Sequence, residues 1–172
     1  MKLYCEHEIA PPAEAFWTIL HAPHYEAEFA RAVGLRAYQE LERRDEPDTI
    51  YRRLHVEADL PESVGTLLHR VTGATSAVYL EEQWRSKSKR EVRWRITPDV
   101  LADRIRIEGV VRIEPRTAKR CVRIHDGVVT VAVIGVGGLL ERAAVAMVTD
   151  AYAKGAAVAE RTSRAEAKGD NA

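Results

Sequence analysis

A single long helical pattern placed after every strand-like segment limits the folds open to this chain. From Gly138 to about Ala165 apolar residues recur at helical spacing, with Leu140, Ala143, Met147, Ala151 and Val158 near one face. At 1.5 Å per residue, about 27 such residues make a helix roughly 40 Å long. The region before it is ruled by a period of two. "LRAYQELERRD" and "TIYRRLHVEADL" read as a hairpin turning at Glu46-Pro47-Asp48, and "SAVYLEEQWRS" and "REVRWRI" as another turning at Lys87-Ser88-Lys89. "DRIRIEGVVRIEP", with a bulge expected at Gly109, and "KRCVRIHDGVVTVAVI" follow. Ahead of these, "KLYCEHEI" alternates as a first strand, with His7 on its apolar side. Two short helices come next: Pro11-Pro12 open one carrying Phe16, Ile19 and Leu20, and Pro23 opens another ended by Gly34. Pro61 opens a short helical insert closed by Gly73. This order predicts an α+β domain with about seven antiparallel strands.

The junction "VVTVAVIGVGGLLERAAV" invites a nucleotide-binding reading, since a strand meets a helix through glycines. A dinucleotide fingerprint needs Gly-x-Gly-x-x-Gly, and after Gly135 and Gly137 the last required position is Leu140. It also needs a parallel strand beyond the helix, and that helix is the last element. No Gly-Lys-Ser/Thr is present for a phosphate loop. The glycines are therefore expected to form a hinge that brings the long helix close to the sheet.

The 172 residues suffice for one sizeable core without disulfides, and we expect one domain over 1–165 with a disordered tail over 166–172. Cys5 and Cys121 sit in strand patterns without metal-type spacing and read as small core residues of a reducing compartment. The N-terminus has acids where a signal peptide has an apolar block, so a cytoplasmic protein is expected. Net charge is zero but unevenly placed. Residues 1–84 hold 8 Lys/Arg against 15 Asp/Glu, and residues 85–123 hold 13 against 5. This makes a dipolar surface rather than a nucleic-acid polycation, and it allows transient contact with an anionic membrane. Of the six histidines none stands at metal-binding spacing. No metal, cofactor or nucleic acid is expected.

The order of elements resembles the helix-grip fold of the START and Bet v 1-like (SRPBCC) superfamily, in which an antiparallel sheet curls around a long C-terminal helix. "EHEIAPPAEAFWTIL", with its proline after a strand and its Phe16-Trp17 pair, carries part of the likeness. "TLLHRVTGATSAVYLEEQW" and "VIGVGGLLERAAVAMVTDAYAKGAAVAE" are similar to an uncharacterised bacterial family within that superfamily, and the same pieces look like the PRELI/MSF1 lipid-transfer family. The resemblance implies non-catalytic binding of a hydrophobic, lipid-like molecule between sheet and helix. It transfers no catalytic residue.

On that fold the inward set includes Val92, Ile96 and Ile124, and the candidate ligand contacts are Leu54, Val56, Leu80, Trp84, Trp94, Ile105, Ile107 and Val122 from the sheet, and Leu140, Met147 and Ala151 from the helix. Arg52 and Glu82 fall on the same side by period. Burying lone charges is costly, so they are expected to pair with each other, with water or with a ligand headgroup. His7 is a candidate base beside Tyr51 or Tyr79. Two alternatives stand beside the carrier reading: an aromatase/cyclase-type or hydrolase-type enzyme on the same fold, and a protein-interaction module with a vestigial cavity.

Overall fold

Alternating segments pair in chain order and build one sheet in the computed structural model, whose described residues are 1–169. The elements are β1 (Lys2–Ile9), α1 (Ala13–Ile19), α2 (Pro23–Val33), β2 (Leu35–Asp45), β3 (Thr49–Asp59), α3 (Glu62–Thr72), β4 (Ser76–Ser86), β5 (Glu91–Pro98), β6 (Ile105–Thr117), β7 (Arg120–Val131) and α4 (Gly137–Gly169). The strands lie in the order β1-β7-β6-β5-β4-β3-β2, and every neighbouring pair is antiparallel. Strands consecutive in the chain account for five of these six pairings; β1 returns to the edge beside β7. This is the α+β domain of seven antiparallel strands that the order of periods predicts, in the helix-grip arrangement that the family resemblance implies.

Local chemistry sets the helix ends. Pro23 stands in the first turn of α2, where its missing N–H costs nothing. Gly34 closes α2 in the left-handed conformation at φ 80°, which a side chain would disfavour. At the glycine-rich junction Gly135 takes a left-handed φ of 82°, and the Val131 N–H donates to Glu141 Oε1 at 3.0 Å, tying the first turn of α4 to the end of β7. The junction is thus a tight strand-to-helix turn. α4 is about 50 Å long at its 33 residues. It continues to Gly169, so the tail expected to fray from 166 begins inside the helix, and residues 170–172 lie outside the described residues. Among the described residues no helix is long and apolar enough to cross a membrane.

The bulge expected at Gly109 is absent. Register runs unbroken past it, and the irregularities lie in β2 and between Pro115 and Thr117. Gly109 faces Gly127, and a Cβ there would stand 2.5 Å from the Asp126 carbonyl oxygen and 2.8 Å from the Trp94 indole. The glycine pair lets two strands approach under a flat ring, so close approach rather than an extra residue explains it.

α4 packs on α2, β1, β7 and α1. At one end Ile9, Phe16, Ile113, Cys121, Val158 and Ala159 form a solid apolar cluster. At the other, Val129, Val131 and Leu140 close the sheet with Ile105 and Ile107 against them. Between them Leu3, Val92, Trp94 and Val111 form a third cluster with Val148 and Tyr152 of α4 against it, and a space remains beside it.

Candidate functional site

Residues paired across antiparallel strands share a face, so the register fixes which side chains look at α4. One inner row holds Arg52, Gln83, Trp94, Gly109 and Gly127. A second holds Leu54, Glu81, Ile96, Ile107 and Val129, and a third Arg85, Val92, Val111, His125 and Cys5. Between these rows and the helices lies a cavity of about 170 Å³. Val92, Trp94, Ile96 and Val111 wall it from the sheet, and Val148, Ala151 and Tyr152 from α4. α2 and the start of β2 contribute Tyr25, Glu26, Phe29, Val33 and Leu35.

The register corrects several expected positions. Leu80, Glu82 and Trp84 lie on the outer face, because the β4 residues opposite Val56, Leu54 and Arg52 are Tyr79, Glu81 and Gln83. Trp84 instead lies tilted against Tyr51, ring centres 5.6 Å apart, with the Arg95 guanidinium over its ring. Val122 and Ile124 are outward too, since Cys121, Arg123 and His125 oppose the inward residues Ile9, His7 and Cys5 of β1. The expected Arg52–Glu82 pair does not form, as the two side chains are on opposite faces: Glu82 accepts from the Tyr51 hydroxyl at 2.9 Å. His7 sits across from Arg123 at the sheet edge, far in strand order from Tyr51 and Tyr79.

Of the remaining candidates, Arg52, Trp94 and Ala151 line the cavity. Leu54 and Val56 are inward and fully buried but stand outside its lining. Ile105, Ile107 and Leu140 belong to the packed end, and Met147 is half-buried on α4 without lining the space. The basic stretch over β4–β6 is interleaved with acids on the outer face: Arg95 lies 3.9 Å from Glu82 and 3.8 Å from Glu108, and Arg106 also pairs with Glu108.

Arg52 is 5% exposed and fully engaged. Its Nε donates to Glu40 at 2.6 Å, and its two terminal nitrogens donate to the Glu26 carboxylate, Nη2 at 3.1 Å. Burial opposes its charge, but hydrogen bonding and attraction from Glu26 outweigh that and raise its pKa. His21, beside it at the end of α1, hydrogen-bonds the Trp17 carbonyl through Nδ1 at 2.9 Å. Burial, helped by Arg85 and Arg52 and opposed by that bond, lowers the His21 pKa to about 4.

The opposite corner is unfinished. Arg123 is 3% exposed, and among the described residues no carboxylate pairs with it. It donates through Nη2 to the Tyr152 carbonyl and weakly through Nη1 to the Tyr25 hydroxyl at 3.5 Å, leaving Nε–H without a partner. His125, 2% exposed, stacks on the Tyr152 ring, and neither ring nitrogen has a partner. Burial, then the charge of Arg123, push its pKa well below the usual imidazole value, so the ring is neutral. The Trp94 indole N–H is buried and unpartnered as well. Across the cavity, Glu81 accepts from the Gln83 amide at 2.7 Å, and burial raises its carboxyl pKa.

Period reading missed Arg123, His125, Glu81 and Gln83, and it named Tyr79 only as a neighbour of His7. A detectable signal was present: "CVRIHDG" alternates polar with apolar, and its polar set continues the phase of buried Cys121.

The fold is shared with solved structures of low sequence identity. A protein from Thermus thermophilus superposes at TM-score 0.69 with 14% identity, covering 96% of this chain and 99% of that one. The Zhui aromatase/cyclase from Streptomyces sp. R1128 gives 0.63 with 13% identity over 95% and 94%. A START superfamily protein from Mycobacterium smegmatis gives 0.57 with 15% identity over 90% and 92%. No curated protein matches in sequence. Residues 5–162 match the family described as "Protein of unknown function (DUF2505)", and with its seven-stranded sheet curled on a long terminal helix the chain belongs to that family, on the helix-grip fold of the START and Bet v 1-like superfamily.

Proposed function

We propose that this protein binds a compact, largely apolar small molecule in the cavity between the sheet and α4. The observation that carries this reading is the space of about 170 Å³ left beside the central apolar cluster of Val92, Trp94 and Val111 on a face that is otherwise filled by packed clusters. Interiors normally pack to crystal-like density, so a void of this size is a cost that a ligand would offset. An apolar cavity of about 150 Å³ takes one benzene, and pockets for larger ligands start at about 300 Å³. The volume therefore supports a one-ring molecule over the long-chain lipid that the family likeness implies.

Native mass spectrometry of protein purified from cells, followed by organic extraction, tests the reading. A co-purifying compound of one-ring size is expected. Ala151→Phe, which projects a ring from α4 into the space, should abolish its retention while leaving the circular dichroism spectrum unchanged. Retention by Ala151→Phe, or a protein that neither carries nor gains thermal stability from any small apolar compound, overturns the proposal.

A second reading, acid–base chemistry on the bound molecule, is favoured by one observation: Glu81, with its raised pKa, and neutral His125 line the same space. Turnover of a bound compound that disappears in Glu81→Gln, with binding retained, would separate the enzyme from the carrier.

A further inference from the structure

We infer that the bound molecule is an anion, a small ring-bearing carboxylate whose charged end is received by Arg123. The inference rests on the small-molecule reading above and adds the chemistry of the ligand. Three groups at one side of the cavity lack hydrogen-bond partners although each is more than nine-tenths buried: the Arg123 Nε–H, the Trp94 indole N–H and both ring nitrogens of His125. Buried donors are almost always satisfied, and orphaned ones in a cavity mark what is to be supplied there. Here two are obligate donors, and neutral His125 adds a third through whichever ring nitrogen carries its proton. The ligand must therefore bring acceptors.

Charge points the same way. Arg123 carries a permanent positive charge and pairs with no carboxylate among the described residues, whereas Arg52 on the same sheet face has two. The Arg123 Nε–H is free and Nη1 is only weakly engaged by the Tyr25 hydroxyl, so a carboxylate oxygen accepting from either would meet a donor that the protein leaves unused. The walls next to it are rings and branched aliphatics: Tyr152, Trp94, Val92 and Val111. A ring with a carboxylate fills such a space; a phosphodiester with two acyl chains exceeds it.

The test is a charge series on one ring, measured by calorimetry with the intact protein: benzoate, benzyl alcohol and benzylammonium. Benzoate is expected to bind at least tenfold tighter than benzyl alcohol, and benzylammonium weakest. In Arg123→Met the preference for benzoate over benzyl alcohol should vanish while benzyl alcohol still binds. If that variant does not fold, the wild-type series decides alone. Equal binding of benzoate and benzyl alcohol overturns the anion inference and leaves the pocket reading standing, with water as the partner of the orphaned donors. Binding of none of the three removes both. Benzoate binding that survives unchanged in a folded Arg123→Met shows that the anion sits elsewhere, and overturns the assignment.

Discussion

Two corners of one cavity hold a buried arginine each, and they are built in opposite ways. At the α2 side, Arg52 is clamped by Glu26 and Glu40, which ties β3 to α2 and to the neighbouring strand β2. At the β7 side, Arg123 has a backbone carbonyl, a distant hydroxyl and an unused N–H. A buried charge with its counter-ions is part of the scaffold. The same charge without them is a cost to stability that folding alone does not explain. The difference separates a structural arginine from one kept for a ligand, although both lie on the same face and line the same space.

Breaking the clamped corner should have the largest effect. Arg52→Met strands two carboxylates that are only partly exposed, and unfolding in urea should show a loss of about 3 kcal/mol. A loss below about 1 kcal/mol would mean that the clamp is no scaffold. Changing the acid across the cavity should act in the other direction. The raised pKa of Glu81 means that its favourable, protonated state is complete below the unfolded value near 4.5 and is lost as pH rises through the folded value. Glu81→Gln should therefore stabilise by about 1 kcal/mol at pH 7, with the gain vanishing near pH 4. A gain that persists at pH 4 would place its origin outside the carboxyl charge.

The open corner should tolerate what the clamped one does not. Arg123→Met loses the bond to the Tyr152 carbonyl but also removes an uncompensated charge, so stability should change by less than about 1 kcal/mol. A loss as large as that of Arg52→Met would erase the contrast between the corners. The smallest effect is a titration. His21 should protonate with a midpoint of about 4 in NMR spectra of the folded protein, and its contribution, complete above the unfolded value of 6.5, should fade as pH drops through that range toward 4. A midpoint near 6.5 would mean that the ring is open to water.

The sequence was most legible where apolar residues face the core. β5 alternates Val92, Trp94 and Ile96 with Arg93 and Arg95, and those three are inward as expected. In β4 the same rule misleads. Leu80 and Trp84 look inward by hydrophobicity, yet Tyr79, Glu81 and Gln83 hold the inner face. β7 repeats this, with Val122 and Ile124 outside and Arg123 and His125 inside. Both reversals occur where polar side chains line the cavity. Binary patterning fails at those positions because their inward neighbours are polar or aromatic groups as well as the cavity: His125 lies on the Tyr152 ring, and Arg123 donates to the Tyr152 carbonyl.

The sequence by itself determined the strands, the helices and their order, because periods of two and 3.6 and the placing of Pro23, Gly34 and Gly73 are local properties of the chain, while the helix-grip arrangement was what the family resemblance implied. Tertiary structure alone decided the site. Glu26 reaches Arg52 across 26 residues, and Tyr152 meets Arg123 across 29, so which arginine finds carboxylates depends on contacts that no local pattern encodes. The physical reason is that periodicity reports where a side chain points, while the state of a buried charge depends on what the rest of the chain brings within about 4 Å of it.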